Sequence, residues 1–227
     1  MNNVLRESIV LQTLHISDRY MKVLVWNRER GCRMYNASLA KTRQVFPLFF
    51  SMNIHCDDHY KRLYTADNYK AVVKPNGRHA LLSLLINYIV IKSHHYQLTQ
   101  MLFSKYIDAL RSMDGNCALL ILKFVISVLS DIGFGPQHKY DVIGQPIKCE
   151  QLYDMSIGPY GPCAHANACG LYKGRDLIEG SFVKLSAKQK LCLYKTYVTW
   201  WQRVVDCTKD RHHLKDLMMT TIPASVI

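Results

Sequence analysis

The first 75 residues alternate apolar and polar side chains in short runs that polar turns separate. The alternation is clearest over residues 47–56, where every second side chain is apolar: Leu48, Phe50, Met52, Ile54 and Cys56. A period of two is typical of a half-buried strand. Four further runs have strand character, at residues 8–14, 20–26, 31–37 and 60–69. Five short strands with tight connections predict a small barrel or sandwich.

The pattern changes after residues 74–77, a Lys-Pro-Asn-Gly turn that marks the best domain boundary. Residues 78–92, 96–111 and 117–131 are long and apolar enough for buried helices, whereas residues 137–180 are rich in Gly and Pro and predict an irregular excursion. Ser186 and Gln189 have the spacing of a capping box that opens another helix. A last short helix is predicted at residues 211–219. The predicted fold is therefore α+β, with a β domain at 1–75 and a mostly helical domain at 76–227.

Charge is the first indication of a partner. The chain has 29 Lys and Arg against 17 Asp and Glu, a net charge of +12. Residues 1–75 hold twelve of the basic and six of the acidic side chains, so half of the excess lies there. Such a surplus attracts polyanions. Nucleic acid is the leading candidate partner, an anionic membrane surface is the second, and a basic surface without a ligand is the third.

Two observations favour a cytoplasmic protein that does not cross a membrane. The longest apolar runs, residues 80–91 and 117–129, are shorter than the roughly 18 to 20 residues that a bilayer crossing needs. Arg6 and Glu7 stand where a signal peptide would have an apolar stretch.

Enzyme signatures are mostly absent, since the sequence has no phosphate-binding loop, dinucleotide-binding fingerprint, metalloprotease helix or nucleophile elbow. Cys163, His165 and Cys169 lie within seven residues, and thiolates with imidazole suit Zn²⁺. A structural zinc site needs a fourth ligand, for which Cys149 is one candidate. The alternative is a loop without metal, and we expect no metal, no cofactor and no enzymatic activity.

The predicted strands carry a pattern that suggests nucleic-acid binding. Arg33 and Tyr35 are two residues apart, as are Tyr60, Arg62 and Tyr64, so each set lies on one face of its strand. Cations neutralise phosphates, and aromatic rings stack on bases. Five further cations extend the predicted surface: Lys22, Arg28, Arg30, Lys41 and Arg43. The alternative is a solvated face with half-packed tyrosines.

The sequence resembles the RecO family of bacterial recombination mediators at four places in matching order. Residues 8–37 resemble the opening strands of that family, including an acidic and basic turn before Gly31 and Arg33. Residues 63–67 (LYTAD) resemble the strand that leaves its barrel. Residues 118–131, followed by IGFGP, resemble its most recognisable internal signature, and HHLKDLM near residue 215 resembles its C-terminal helix.

The resemblance implies an N-terminal OB-fold barrel followed by a mostly helical domain, and a function without bond chemistry. Such proteins are nucleoid-associated, bind single- and double-stranded DNA and anneal complementary strands coated with single-strand-binding protein. With RecR they help load RecA in the RecF pathway of repair. A helix with Lys188, Lys190, Lys195 and Arg203 would then receive the acidic tail of single-strand-binding protein.

The sequence departs from the family at two places. Many members have a zinc module with two Cys pairs; the first pair would fall at Tyr140 and Ile143, and in the second Cys163 matches but Ala166 stands at its partner position. The resemblance therefore implies that the zinc site is lost. Residues 38–45 retain only Lys41 and Arg43 of a longer basic segment. Two other functions stay open, an RNA-binding OB-fold protein acting on ribosomal or transfer RNA and a metal-dependent enzyme at Cys163, His165 and Cys169.

Overall fold

The computed structural model describes residues 3–38, 46–72, 77–94, 96–112, 117–136, 139–158, 161–180 and 182–207. The chain divides into two compact units, residues 1–115 and 116–227. The predicted domain division at residues 75 and 76 lies inside the first of these units. The first compact unit continues further because two helices pack against its strands.

Five strands form a closed barrel in the first unit, in the order β1-β2-β3-β5-β4, and β4 pairs back with β1. Their bounds are β1 Asn3–Ser17, β2 Tyr20–Asn27, β3 Gly31–Ser38, β4 Phe50–Asp57 and β5 Arg62–Ala71. All neighbouring pairs are antiparallel except β3 with β5, which run parallel and pair only at Asn36 and Ala37. The five predicted strands are thus confirmed.

The core of the barrel follows from the period-two pattern. On β4, Met52, Ile54 and Cys56 are buried while the side chains between them are only half-buried. The same alternation on the other strands sends one face inward, and these residues fill the interior: Leu5, Val10, Met21, Val23, Val25, Tyr35, Ala37, Phe46, Leu63 and Ala66. Because successive strand side chains point to opposite faces, the residues between them lie on the outer surface.

Two helices cover part of that outer surface. They are α1 (Gly77–Ser93) and α2 (Gln100–Arg111). Trp26 is fully buried under α2, with its ring centroid 5.1 Å from that of Phe103 and 5.2 Å from that of Tyr106. The buried Asn87 amide on α1 donates to the Leu11 carbonyl (2.7 Å) and accepts from the Tyr106 hydroxyl (3.2 Å).

The predicted helices at residues 78–92 and 117–131 are confirmed almost to the residue. The helix predicted at 96–111 begins later, at Gln100, because Thr99 caps it and accepts the N–H of Leu102 at 3.2 Å. Within the described ranges, no helix is long and apolar enough to span a membrane.

Within the residues that the structure describes, the second unit contains three α-helices, a 3-10 helix at Phe182–Lys184 and a small antiparallel sheet in the order β7-β6-β8. The helices are α3 Cys117–Asp131, α4 Gly174–Glu179 and α5 Ala187–Cys207, and the strands are β6 Leu152–Gly158, β7 Gly161–Ala166 and β8 Tyr172–Lys173. The prediction that residues 137–180 are irregular was therefore wrong for this sheet and for α4. The frequent glycines suggested a loop, and the strands there pair over only a few residues, so their sequence has no clear alternation.

The capping box at the start of α5 is confirmed in both directions. The Gln189 N–H donates to Ser186 Oγ (3.3 Å), and the Ser186 N–H donates to Gln189 Oε1 (2.7 Å). The buried face of α5 then follows at helical spacing: Leu193, Tyr197, Trp200, Trp201, Val204 and Val205. The helix predicted at residues 211–219 lies outside the described residues.

Candidate nucleic-acid interface

A groove of about 540 Å³ opens on the barrel where β3 separates from β5. We call it the β3 groove. Its walls come from β2, β3 and the turn between β4 and β5: Lys22, Cys32, Arg33, Met34, Tyr35, Asn36, Asp58 and Lys61. Three of these side chains are cations and one is a carboxylate. The described lining therefore favours an anionic ligand.

A row of polar side chains crosses the outer surface beside the groove. Lys22 on β2 lies opposite Asn36 on β3, and Asn36 lies opposite Arg62 on β5. Directly opposed residues in a sheet point to the same face, and all three are exposed. The barrel thus places two cations about two strand spacings apart, roughly 10 Å.

Aromatic rings adjoin the cationic row. Tyr60 is 63% exposed, and the Arg62 guanidinium carbon lies 5.7 Å from the centroid of its ring. Tyr64, 39% exposed, lies at a bulge in β5, where the register with β4 shifts between His55 and Cys56. Both rings are exposed. Tyr60, however, lies in the turn before β5 and not on the strand, so the prediction that Tyr60, Arg62 and Tyr64 share one strand face is wrong for Tyr60.

Asp58 contacts several polar side chains at the opening of the β3 groove. Its carboxylate forms an ion pair with Arg30 and lies 3.7 Å from an Arg33 nitrogen. It also accepts a hydrogen bond from the Tyr35 hydroxyl at 2.7 Å and one from the Asn3 amide at 3.3 Å. Asp58 therefore holds both arginines beside the groove and neutralises part of their charge.

The neighbouring carboxylate has a different role. Asp57 Oδ1 accepts the N–H groups of His59 (2.9 Å) and Tyr60 (3.1 Å), and these backbone hydrogen bonds lower the pKa of Asp57. This confirms that residues 57–59 form a turn. The turn ends at Lys61, whose φ of +49° is unusual for a residue with a side chain. The Lys61 carbonyl accepts the N–H of Asn36 (2.8 Å), which fixes the turn against β3.

The predicted single platform requires a correction. Arg33 and Tyr35 do share a face of β3, but it is the inward face, and Tyr35 is only 1% exposed. Lys22 and Arg62 lie on the outer face. Tyr35 has no free ring face for a base; burial raises its pKa to about 12, so its phenol remains a donor to Asp58 at neutral pH.

Arg28 does not adjoin the β3 groove. It lines a second cleft of about 370 Å³ between the barrel and α2, where it forms an ion pair with Glu7 at 3.1 Å. Lys41 and Arg43 lie outside the described residues. Of the predicted cations, Lys22 and Arg33 line the groove, Arg30 is held at its edge by Asp58, and Arg62 lies opposite Asn36 on the outer face.

Sequence reasoning missed Lys61, Asn36 and Asp58 as groove residues. Lys61 lies in the turn that follows Asp57 and precedes β5. A cation in that predicted turn was the signal that could have identified Lys61 as a groove residue. The side chain of Asn36 alternates with the buried Tyr35 and Ala37. Its outward position follows once the inner face of β3 is known.

The candidate zinc ligands do not assemble. Cys163 Sγ lies 3.5 Å from His165 Nε2, but Cys169 is exposed and belongs to no set of three side chains that could hold a metal within the described residues. Tyr140 and Ile143 are exposed. All cysteines that the structure describes are free thiols.

No protein-family model matches this chain, and no curated protein matches it.

Proposed function

We propose that the first unit is an OB-fold that binds single-stranded polynucleotide in the β3 groove, and that the chain anneals DNA strands in the manner of the RecO family. The observation that carries the proposal is the position of the groove. It lies on the β2–β3 face beside the turn between β4 and β5, and OB-folds bind oligonucleotides with that face and that loop.

The strand arrangement supports the OB-fold assignment. A five-stranded barrel in the order β1-β2-β3-β5-β4, with a short parallel contact between β3 and β5, has the Greek-key connectivity of that fold. Because β3 pairs with β5 only at Asn36 and Ala37, the rest of that edge of β3 has no strand partner within the described residues. An extended ligand gains access to the inner edge of β3 there.

The charges support a polyanion rather than a small neutral ligand. Lys22, Lys61 and Arg62 form no ion pair within the described residues, so each is available to a phosphate. Neutralising a phosphate releases a condensed counterion, which makes affinity fall with salt. The exposed rings of Tyr60 and Tyr64 add stacking, worth about 1–3 kcal/mol per base in other single-strand binders.

The mediator role rests on the ordered resemblance together with this groove. A surface that neutralises phosphates on two flexible strands reduces their repulsion, so exposed bases are able to test pairing. This step makes or breaks no covalent bond. The partners that the resemblance implies are single- and double-stranded DNA, single-strand-binding protein through its tail, and RecR.

The test is a salt titration of binding to a fluorescent oligothymidine, measured by anisotropy. Lys22→Ala, Lys61→Ala and Arg62→Ala should each weaken binding and reduce the slope of log K against log salt by about 0.7, the value for one single-strand phosphate contact. Lys105→Ala is the matched control, because Lys105 is an exposed cation on α2 away from the groove. Slopes that match the control for all three variants would refute the groove assignment.

Two further measurements separate DNA annealing from RNA binding. Competition between DNA and RNA of matched sequence tests the alternative that the chain acts on ribosomal or transfer RNA, and a marked RNA preference would favour it. An annealing assay with complementary strands coated by single-strand-binding protein tests the mediator role. No acceleration by the chain would contradict that role while leaving polynucleotide binding intact.

A further inference from the structure

The solvent-facing side of the β6–β7 hairpin in the second unit carries a compact set of reactive side chains. Asp154 on β6 lies opposite His165 on β7, and Ser156 lies opposite Cys163. Opposed residues share a face, so all four project to the same side. Tyr153 and Ala164, on the other side of the hairpin, are buried.

Three of these groups are in mutual contact. Cys163 Sγ lies 3.5 Å from His165 Nε2 and 3.5 Å from Ser156 Oγ, and Ser156 Oγ is hydrogen-bonded to His165 Nε2. A thiol within reach of an imidazole is the arrangement of an activated sulfur nucleophile, because the ring accepts the thiol proton. Once the proton has moved, Nε2–H and the Ser156 hydroxyl are two donors for the sulfur anion.

A glycine lies beside the sulfur. A Cβ atom at Gly158 would lie 3.0 Å from Cys163 Sγ, closer than most Cβ contacts in proteins. Gly158 does not have a positive φ, so its backbone conformation does not itself require glycine. Glycine at this position therefore keeps a side-chain carbon away from the sulfur.

We propose that Cys163 is a nucleophilic thiol that small hydroperoxides oxidise, with His165 as its proton acceptor and donor. The sulfur attacks one peroxide oxygen, the O–O bond breaks, and a sulfur–oxygen bond forms. The thiol proton passes through His165 to the leaving oxygen, so Cys–SH and ROOH give Cys–SOH and ROH. The sulfur is oxidised and the peroxide is reduced.

The proton donor favours a hydroperoxide over a disulfide as the reactant. An alkoxide or hydroxide is a poor leaving group and gains from a proton as it departs, and a positioned general acid supplies that proton. A thiolate leaving group in disulfide exchange departs without one. The imidazole and hydroxyl beside Sγ thus fit the peroxide reaction.

The test is peptide mass spectrometry after brief treatment with hydrogen peroxide and trapping of sulfenic acid with dimedone. Cys163 is expected to label at least about tenfold faster than Cys149 and Cys169, since general acid–base assistance in other proteins exceeds that factor. Those two cysteines are matched controls, because both are exposed and neither contacts an imidazole within the part of the chain that the structure describes. Labelling of Cys163 at the control rate would overturn the proposal.

Two variants distinguish the mechanism from simple exposure. His165→Asn should reduce Cys163 labelling to the rate of Cys169, because the proton acceptor is gone while a polar side chain remains. Gly158→Ala should slow Cys163 labelling several-fold without removing any reactive group. Unchanged labelling in either folded variant, as judged by circular dichroism, would refute the assigned role of that residue and with it the site.

Discussion

Asp58 provides the sharpest test of the β3 groove, because the proposal expects Asp58→Asn to strengthen ligand binding while it weakens the fold. The carboxylate is the only negative charge among the described groove residues, and it pairs with Arg30 and Arg33. Removing the charge frees both guanidiniums, of which 39% and 50% of the side-chain surface is already exposed. Each guanidinium then becomes available to a phosphate.

The size of the gain follows from counterion release. One additional single-strand phosphate contact steepens the salt slope by about 0.7, which corresponds to about fivefold tighter binding at 0.1 M salt relative to 1 M. The loss in stability is modest, because the carboxamide that replaces the carboxylate still accepts from Tyr35. The Asp58 side chain is 16% exposed but both arginines are more exposed, so each ion pair contributes about 1 kcal/mol or less. We expect a decrease of about 1–2 kcal/mol in the free energy of unfolding.

Oligothymidine anisotropy across a salt series measures the first effect, and urea unfolding followed by circular dichroism measures the second. Asp108→Asn is the control, because it removes the same charge from the same unit but lines the second cleft. An affinity for Asp58→Asn that equals the wild type or falls below it, in a folded protein, would refute the placement of the ligand.

Three other predictions test the fold and the stacking surface. Trp26→Ala should lower the free energy of unfolding by about 3–5 kcal/mol in urea melts. Trp26→Phe should lower it clearly less, because the buried indole N–H has no hydrogen-bond partner among the described atoms. Equal losses for the two variants would contradict this prediction. Hydrogen bonds from His55 and Asn53 lower the pKa of Asp67 in the folded protein. The stability that these hydrogen bonds contribute is therefore present above the pKa of Asp67 in the unfolded chain, about 3.9, and is lost as pH falls through the lower pKa of the folded protein. Asp67→Asn should remove that part of the acid dependence in melts below pH 5, and an unaltered profile would exclude the contribution. Tyr60→Ala should weaken single-strand binding more than duplex binding in anisotropy, and equal losses would indicate a packing role.

The sequence was most informative where one physical pattern determined the result. Alternation over residues 47–56 placed Met52, Ile54 and Cys56 in the core, as observed. The capping box located the start of α5, because the two side chains at Ser186 and Gln189 satisfy backbone groups that a helix leaves unpaired. Local chemistry of this kind requires no knowledge of distant contacts.

The sequence was least informative where a side chain suits two environments. The spacing of Arg33 and Tyr35 showed that they share a face, but tyrosine packs in a core or stacks in solvent equally well. The inward position of Tyr35 depends on barrel closure and on a partner for its hydroxyl, Asp58, which is 23 residues away. The contact between Cys163 and Ser156 likewise depends on the hairpin register.

The short parallel contact of β3 with β5 has a consequence for ligand selectivity. The N–H of Asn36 points toward Lys61, and peptide groups two residues apart in a strand point the same way. The peptide N–H and C=O of Met34 therefore border the opening, beyond the last residues that pair with β5. In the proposed function, a nucleobase resting there would meet a donor and an acceptor that belong to the main chain. Because these two groups carry no net charge, that part of the recognition would depend little on ionic strength.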